Sequence, residues 1–368
     1  MKTVLFVLDY YLPHRGGVEN VFENIILRLE KKGYKIIVLT SRYDKKLKEY
    51  EITNGMEIYR TGKSRLSFML AAIKLGKHIL RKHNIDIIHA STYGGAIPAS
   101  ILGKKFNKKV ILTVHEVFGN LRFKYKGFFV GMIYRLFEWI IFKFKFDTFH
   151  CVSQNTANEV KKYYGIQNNK IKVIYNGLDT EFWNPSNVSN KEIFEWRKKY
   201  QQDDKFVFLY FGHAGKSKGI DYLIQALPEI LKLENVIMVF NIIESKRTKQ
   251  ILEKLKKIEA DNLQIFNGFS KENLRKLVAS ANCVIAPSIS EGFGSVHSES
   301  VAMKKTLITT KTSAIPEVVY GKVKFIKAAD KEGIVFACKD VLKGNFENIA
   351  EKKFSRDDSV KKIEKLYG

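Results

Sequence analysis

The sequence predicts an α/β protein built from a doubly wound parallel sheet, used twice. Three observations lead there. Short continuous apolar runs of the kind buried on both faces of a parallel sheet recur through the chain, separated by segments of helical period. In each half the first such run is followed by a glycine-bearing loop and then a helix. Between the halves, Asn176 to Asp204 holds Asn176-Gly177, Asn184-Pro185 and the polar run Ser186 to Asn190, which reads as an interdomain crossing.

The elements follow in order. Val4 to Leu8 is the first strand, and Tyr10 to Gly17 its loop. Val18, Val21, Phe22, Ile25, Ile26 and Leu29 then repeat at helical spacing up to Gly33. Strands are expected at Ile36 to Thr40, Ile85 to His89, Val110 to Val114 and Thr148 to Val152, with a helix over Ser67 to His83. The second half opens with a strand at Phe206 to Gly212, a loop His213 to Gly219 and a helix Ile220 to Leu231. Strands follow at Val236 to Phe240, Leu263 to Phe266, Val284 to Ala286, Thr306 to Thr309 and Val323 to Ile326. A cleft between two such sheets is the expected binding site.

Composition bounds the function. The 368 residues are 45% hydrophobic and 27% charged, ordinary for a globular protein, but 63 Lys+Arg against 38 Asp+Glu give a net charge of +25. Residues 1–185 hold 31 basic and 15 acidic side chains, and the remainder 32 and 23. Such a surface suits nucleic acid, anionic lipid or phosphorylated small molecules. Nucleic acid is set aside because no base-stacking or groove-reading module is present. Cys151, Cys283 and Cys338 lack metal-ligand spacing and read as buried thiols of a reducing compartment. The run Thr3 to Leu8 is too short for a signal-peptide core, and no stretch approaches the roughly 20 apolar residues of a membrane span.

Four segments carry candidate chemistry. Ser288 to Glu299 lies between a buried strand and a helix and sets Glu291 and Glu299 around Gly292 and Gly294. Its glycines let backbone approach a ligand, and the helix amides face any anion there. The plain alternative is a strand–turn–helix with two solvated glutamates. Gly16-Gly17 sits at the next helix start and suits a phosphate or sugar, or is simply a tight turn. Gly212 to Gly219 fails the G-x-x-x-x-G-K-[ST] spacing, which argues against a nucleotide hydrolase. It remains a lysine-bearing loop able to hold a leaving diphosphate, or a solvated basic loop. His115, in Thr113-Val114-His115-Glu116, ends a strand and could bond a substrate hydroxyl or serve structure only. Asp-x-Asp is absent from the sequence, so the metal-clamped diphosphate site is not expected and Lys218 with helix dipoles would supply the countercharge.

Taken in order, Gly16-Gly17-Val18-Glu19, Thr113 to Glu116, Val173 to Asp179, Lys218 to Leu223, Pro287-Ser288, Glu291 to Glu299 and Ile315-Pro316-Glu317-Val318 resemble the family-4 (group 1) retaining glycosyltransferases along the whole chain. The resemblance implies the GT-B fold: two Rossmann-like parallel-sheet domains facing a cleft. Residues 1–178 would form the acceptor side and 179–345 the nucleotide-sugar domain, while 346–368 would return as a helix to the first domain. It implies metal-independent transfer of a sugar from a nucleotide sugar, UDP- or GDP-linked, with retention and without a cofactor. The catalytic residues would be His115, Lys218 and Glu291. Donor binding would fall to Gly16, Gly17, His213, Lys218, Glu291, Phe293, Gly294, Ser295 and Glu299. The sequence departs from the family pattern at His213, where arginine is usual, at Ser313-Ala314, where Gly-Gly is usual, and at Asn241 to Glu244 in place of glycines. A nucleotide-sugar 2-epimerase or a non-catalytic scaffold for a membrane or glycan complex are the alternatives.

Leu121 to Phe146 holds ten aromatic and six basic residues, with Glu138 the only acid. Phe128, Phe129, Met132, Ile133, Phe137, Ile140 and Ile141 fall roughly on one helical face. A basic amphipathic helix with aromatics suits a membrane interface, and packing against the first sheet is the alternative. Arg122, Lys124, Lys126, Arg135, Lys143 and Lys145 are the expected contacts with an anionic surface. The expected acceptor is a glycan or lipid-linked glycan of surface polysaccharide, lipopolysaccharide or glycolipid synthesis. The expected location is cytoplasmic, peripheral on the inner face of the membrane.

Overall fold

The computed structural model describes residues 2–244 and 248–368. It divides into two units, Met1–Gly177 with Phe354–Gly368, and Leu178–Lys353.

The first unit opens with β1 (Thr3–Leu8), buried along its whole length, then α1 (Gly17–Lys31) and β2 (Lys35–Ser41). A hairpin of β3 (Tyr50–Thr53) and β4 (Met56–Thr61) precedes α2 (Arg65–Lys82), β5 (Ile87–Ser91), α3 (Ala96–Phe106) and β6 (Lys109–Val114). Then come α4 (Leu121–Lys126), α5 (Phe128–Lys143), β7 (Thr148–Cys151), α6 (Gln154–Tyr164) and β8 (Ile171–Val173). The sheet order is β3-β4-β2-β1-β5-β6-β7-β8, parallel throughout except for β3. Alternation along β1 feeds two cores. Leu5 and Val7 pack with residues of α2, α3, α5 and α6, whereas Val4, Phe6 and Leu8 pack with Phe22, Ile25 and Ile26 of α1.

The second unit begins with α7 (Asn190–Lys199), inside the stretch expected as a crossing. A capping box between Ser189 and Glu192 starts it, and Arg197 ties it inward by donating to Ser280 O (3.0 Å). Next are β9 (Phe206–Phe211), α8 (Ile220–Ile230), β10 (Val236–Asn241), α9 (Lys249–Lys256), β11 (Leu263–Phe266) and α10 (Lys271–Ser280). They are followed by β12 (Cys283–Ala286), α11 (Ser295–Ala302), β13 (Thr306–Thr310), the short α12 (Ile315–Val318), β14 (Gly321–Ile326), α13 (Lys331–Leu342) and β15 (Glu347–Ile349). The order is β11-β10-β9-β12-β13-β14-β15, with β15 alone antiparallel. Residues 346–353, expected in the returning segment, therefore stay with the second unit, because β15 completes its sheet edge.

The last helix, α14 (Arg356–Tyr367), belongs to the first unit. Ser355 caps it, with Asp357 and Asp358 in its first turn. Val360, Ile363 and Tyr367 are buried in the α1 core, each contributing about 1.5–3 kcal/mol by removal from water. A chain of hydrogen bonds fastens its end. Tyr367 Oη lies 2.6 Å from His89 Nδ1, His89 Nε2 2.7 Å from Thr113 Oγ1, Thr113 Oγ1 2.9 Å from His150 Nδ1, and His150 Nε2 2.9 Å from Ile174 O. Burial pushes both imidazoles down, His89 well below its ordinary value and His150 to about 4, so both are neutral at pH 7. The carbonyl can only accept, so His150 donates to it, Thr113 donates to His150, His89 to Thr113, and Tyr367 to His89.

Candidate active site

In an open parallel sheet, ligands gather where strand order reverses. In the second unit that point lies between β9 and β12, neighbours in the sheet. The loops leaving them carry Lys218 and Glu291, and the structure brings the two side chains together: Lys218 Nζ donates to Glu291 Oε2 at 2.7 Å. The other carboxylate oxygen accepts from Ser288 Oγ at 2.8 Å. Glu291 is only 8% exposed. Burial pushes its carboxyl up, but the charges of Lys218 and then His297, with the bonds from Lys218 and Ser288, outweigh this and hold it below its ordinary value.

The loops fit together only as glycine allows. Gly219 has φ +67°, and a Cβ there would collide with Pro287 O. Ser217 O accepts from Ile289 N at 2.7 Å, stitching one loop to the other. Glu291 is held along its backbone as well: its N–H donates to Ser313 Oγ (2.8 Å), and its carbonyl accepts from Ala314 N (3.3 Å). Ser313-Ala314, read in the sequence as a departure, thus clamps the site glutamate. Ser313 is a partner that sequence reasoning missed, since a hydroxyl 22 residues from Glu291 carries no spacing signal.

Gly294, at φ +90°, caps α11. The first bond of the helix runs from Ser298 N to Gly294 O, so the amides of Ser295, Val296 and His297 precede the intrahelical ladder and form its electropositive end. Phe293 is buried and Ser295 exposed, while Glu299 lies half-buried in the second turn. His297 is fixed beneath by Thr309 Oγ1 at 2.9 Å. His213 is exposed, and its carbonyl accepts from Tyr210 Oη at 3.0 Å.

In the first unit, order reverses between β1 and β5. Gly17 begins α1, and Gly16 before it is extended, with φ −162°. The Glu19 carboxylate folds back onto Gly16, where a side chain would collide with it. Glu19 lies 3.3 Å from His14 Nδ1, and Asp9 takes a 2.7 Å bond from Arg65 Nε. Burial pushes both carboxyls up against those partners. Sequence reading passed over Asp9, because one carboxylate after a strand is no motif. His115 follows β6, its ring edge-on to Phe22 at 5.6 Å. Burial, then the charge of His150, push it down to about 3, so it is neutral at pH 7. Its Nε2 is buried without a hydrogen-bond partner. Among the described residues no group of three His, Cys, Asp or Glu side chains is placed to hold a metal ion.

The basic aromatic segment forms α4 and α5. Only Gly131, Glu138, Ile141 and Phe142 of α5 are buried. Phe128, Phe129, Val130, Met132, Ile133, Tyr134, Leu136, Trp139 and Ile140 are all exposed, from 37% to 75%. Phe137 and Ile141, expected on the outer face, pack into the sheet's core instead. The cations divide. Arg122 lies over the Phe118 ring (4.0 Å) and 3.5 Å from Glu138, and Arg135 donates to Tyr164 Oη at 3.0 Å, so both serve the protein's own packing. Lys143 and Lys145 are exposed; the side chains of Lys124 and Lys126 lie outside the described residues. No helix among the described residues is long and apolar enough to cross a membrane.

Comparison with known proteins agrees with this architecture. Residues 15–182 match Glycosyltransferase Family 4, and residues 192–358 match Glycosyl transferases group 1. An uncharacterized glycosyltransferase of Methanocaldococcus jannaschii is 27% identical over 335 residues, covering 88% of this chain and 84% of its own. The GPI3 subunit of phosphatidylinositol N-acetylglucosaminyltransferase from Saccharomyces cerevisiae is 20% identical, with 99% and 82% covered. The crystal structure of Anabaena HepE in complex with UDP and glucose shares the fold at a TM-score of 0.76, with 16% identity and coverage of 100% and 99%. Two doubly wound units in this order are the GT-B architecture. The chain belongs to the family-4, group 1 glycosyltransferases of that fold.

Proposed function

We propose that this glycosyltransferase moves a sugar, with retention of configuration, from a nucleotide sugar to a lipid-linked acceptor while resting on an anionic membrane surface. The observation that carries the reading is the outer face of α5, where nine large apolar side chains meet solvent beside exposed lysines. A patch of that kind marks an interaction site, and with basic flanks the fitting partner is a bilayer interface. The yeast relative named for phosphatidylinositol supports a lipid acceptor. The growing product would be a surface glycan or glycolipid, built at the inner face of the membrane.

Transfer breaks the bond between the anomeric carbon and the diphosphate oxygen, and forms one from that carbon to the acceptor oxygen. The acceptor proton leaves with the diphosphate. Negative charge grows on the diphosphate as the bond breaks, and preorganised cations and amides aimed at it supply the largest catalytic term. Lys218 and the amides of Phe293, Gly294 and Ser295, in the turn that leads into α11, are suited to that charge without a metal or cofactor. Glu291 would receive the donor sugar and Glu299 the ribose. His213 would take part in donor binding in place of the usual arginine, gaining charge when a phosphate sits beside it. His115, neutral at pH 7, can share a hydrogen bond but carries no charge to the reaction.

Two measurements test the proposal. Calorimetry with UDP, GDP and ADP, no metal added, should show one nucleotide binding, and Glu299→Ala should weaken it tenfold or more, about 1.4 kcal/mol. Flotation with phosphatidylglycerol vesicles at low salt should carry the protein up, and Phe129→Glu with Ile133→Glu should abolish this. A protein that binds none of the nucleotides and stays at the bottom of the gradient would refute the reading.

A further inference from the structure

Glu138 is fully buried, on a helix whose other side is mostly exposed apolar surface. Nothing in transfer chemistry asks for it, yet it gathers many partners. Its Oε1 accepts from Tyr93 Oη at 2.9 Å and from Phe118 N at 3.1 Å, and its Oε2 accepts from Gly119 N at 3.1 Å. Arg122 stands 3.5 Å away. Tyr93 Oη also lies 3.1 Å from Glu116 O, and its one proton is shared between that carbonyl and the carboxylate. The backbone just after His115 is thus held at residues 116, 118 and 119 by one carboxylate and the tyrosine beside it.

The loop has little room to move independently. Gly119 has φ +47°, and a Cβ there would press on the Tyr163 ring. A buried carboxylate that lost its donors would bear the full desolvation cost, so displacing α5 carries the loop along rather than leaving the charge unpaired. The connection is direct: one side chain spans from the apolar helix to the loop.

We infer that Glu138 is a positioning residue, coupling the seating of α5 on a bilayer to the placement of the loop that begins at His115. The inference rests on the bilayer reading of α5. Contact with lipid on the outer face holds the helix, the helix holds Glu138, and Glu138 holds the amides of Phe118 and Gly119. The loop is then more ordered on the membrane than in solution.

Hydrogen exchange on the full chain tests this, with and without vesicles of equal phosphatidylglycerol and phosphatidylcholine at low salt. In the wild type, vesicles should slow exchange both in α5 and in residues 116–121, the latter about tenfold. Glu138→Gln should float with vesicles and protect α5 to the same extent, while its loop exchange stays unchanged by lipid. Tyr93→Phe removes one bond from the cluster and keeps the carboxylate, so it should lose part of the loop response even if Glu138→Gln does not fold. Equal loop protection in wild type and Tyr93→Phe or Glu138→Gln overturns the coupling. So does protection of α5 alone in the wild type. A wild type that does not float sinks the bilayer reading, and this inference with it.

Discussion

Replacing Lys218 with methionine isolates the ion pair at the centre of the second unit. Glu291 would keep its burial and its bond from Ser288 but lose the ammonium 2.7 Å away. Removing one partner of a fully buried pair costs about 3–5 kcal/mol. Because the Lys218 side chain is 31% exposed, solvent screening brings the expected cost to about 2 kcal/mol at pH 7. With the lysine gone, burial dominates, and the folded pKa of Glu291 rises above that of the unfolded chain. The variant then keeps its stability at low pH and loses it as pH climbs through the raised value, so the deficit against wild type should shrink toward pH 5. Urea unfolding followed by tryptophan fluorescence reads this out in a Trp139→Phe background, since Trp183 and Trp196 both lie in the second unit. Lys218→Met with Glu291→Gln should recover most of the loss. A deficit of the same size at both pH values, with no recovery in the double variant, would refute the electrostatic account. On the proposed function the pair has a corollary: a leaving diphosphate would compete with Glu291 for Lys218.

Two further predictions concern the buried chain of histidines. The folded pKa of His150, about 4, lies below its ordinary 6.5, so the unfolded chain takes up the proton first as pH falls. Stability from this group is full above about pH 6.5 and declines to about pH 4, by about 3 kcal/mol. His150→Gln should flatten the pH dependence of urea unfolding in that window, and an unchanged slope would count against the assignment. Tyr367→Phe leaves His89 Nδ1 without its donor, at a cost of about 1–3 kcal/mol, and should speed amide exchange in α14 more than in β1.

How much was legible depended on what each residue touches. Strands buried on both faces, such as Val4 to Leu8 and Cys283 to Ala286, announce themselves as apolar runs. The β3 strand, largely exposed, and the three-residue β15 carry no such run and were not anticipated. The sequence placed Lys218 and Glu291 on separate glycine loops. Their meeting follows from β9 lying beside β12, which local pattern does not encode. Ser313 looked like a lost glycine because its work is a bond to a residue 22 positions away. Charge was equally ambiguous: Arg122 and Arg135 read as surface cations, but their guanidinium groups lie against aromatic rings of the same unit. The helical face read in α5 gave five of its exposed apolar residues, Phe128, Phe129, Met132, Ile133 and Ile140, but a helix so rich in apolar residues left Phe137 and Ile141 ambiguous, and they turn inward.

The outer face of α5 also governs how copies of this protein treat one another in water. Nine apolar side chains exposed on one helix invite self-association, and a net charge of +25 opposes it by mutual repulsion. Added salt shortens the reach of that repulsion to about 8 Å at physiological strength and about 3 Å at 1 M, leaving the apolar attraction untouched. Ionic strength is therefore a colloidal control: dilute buffer keeps the molecules dispersed, and concentrated salt drives them together through the exposed face of α5.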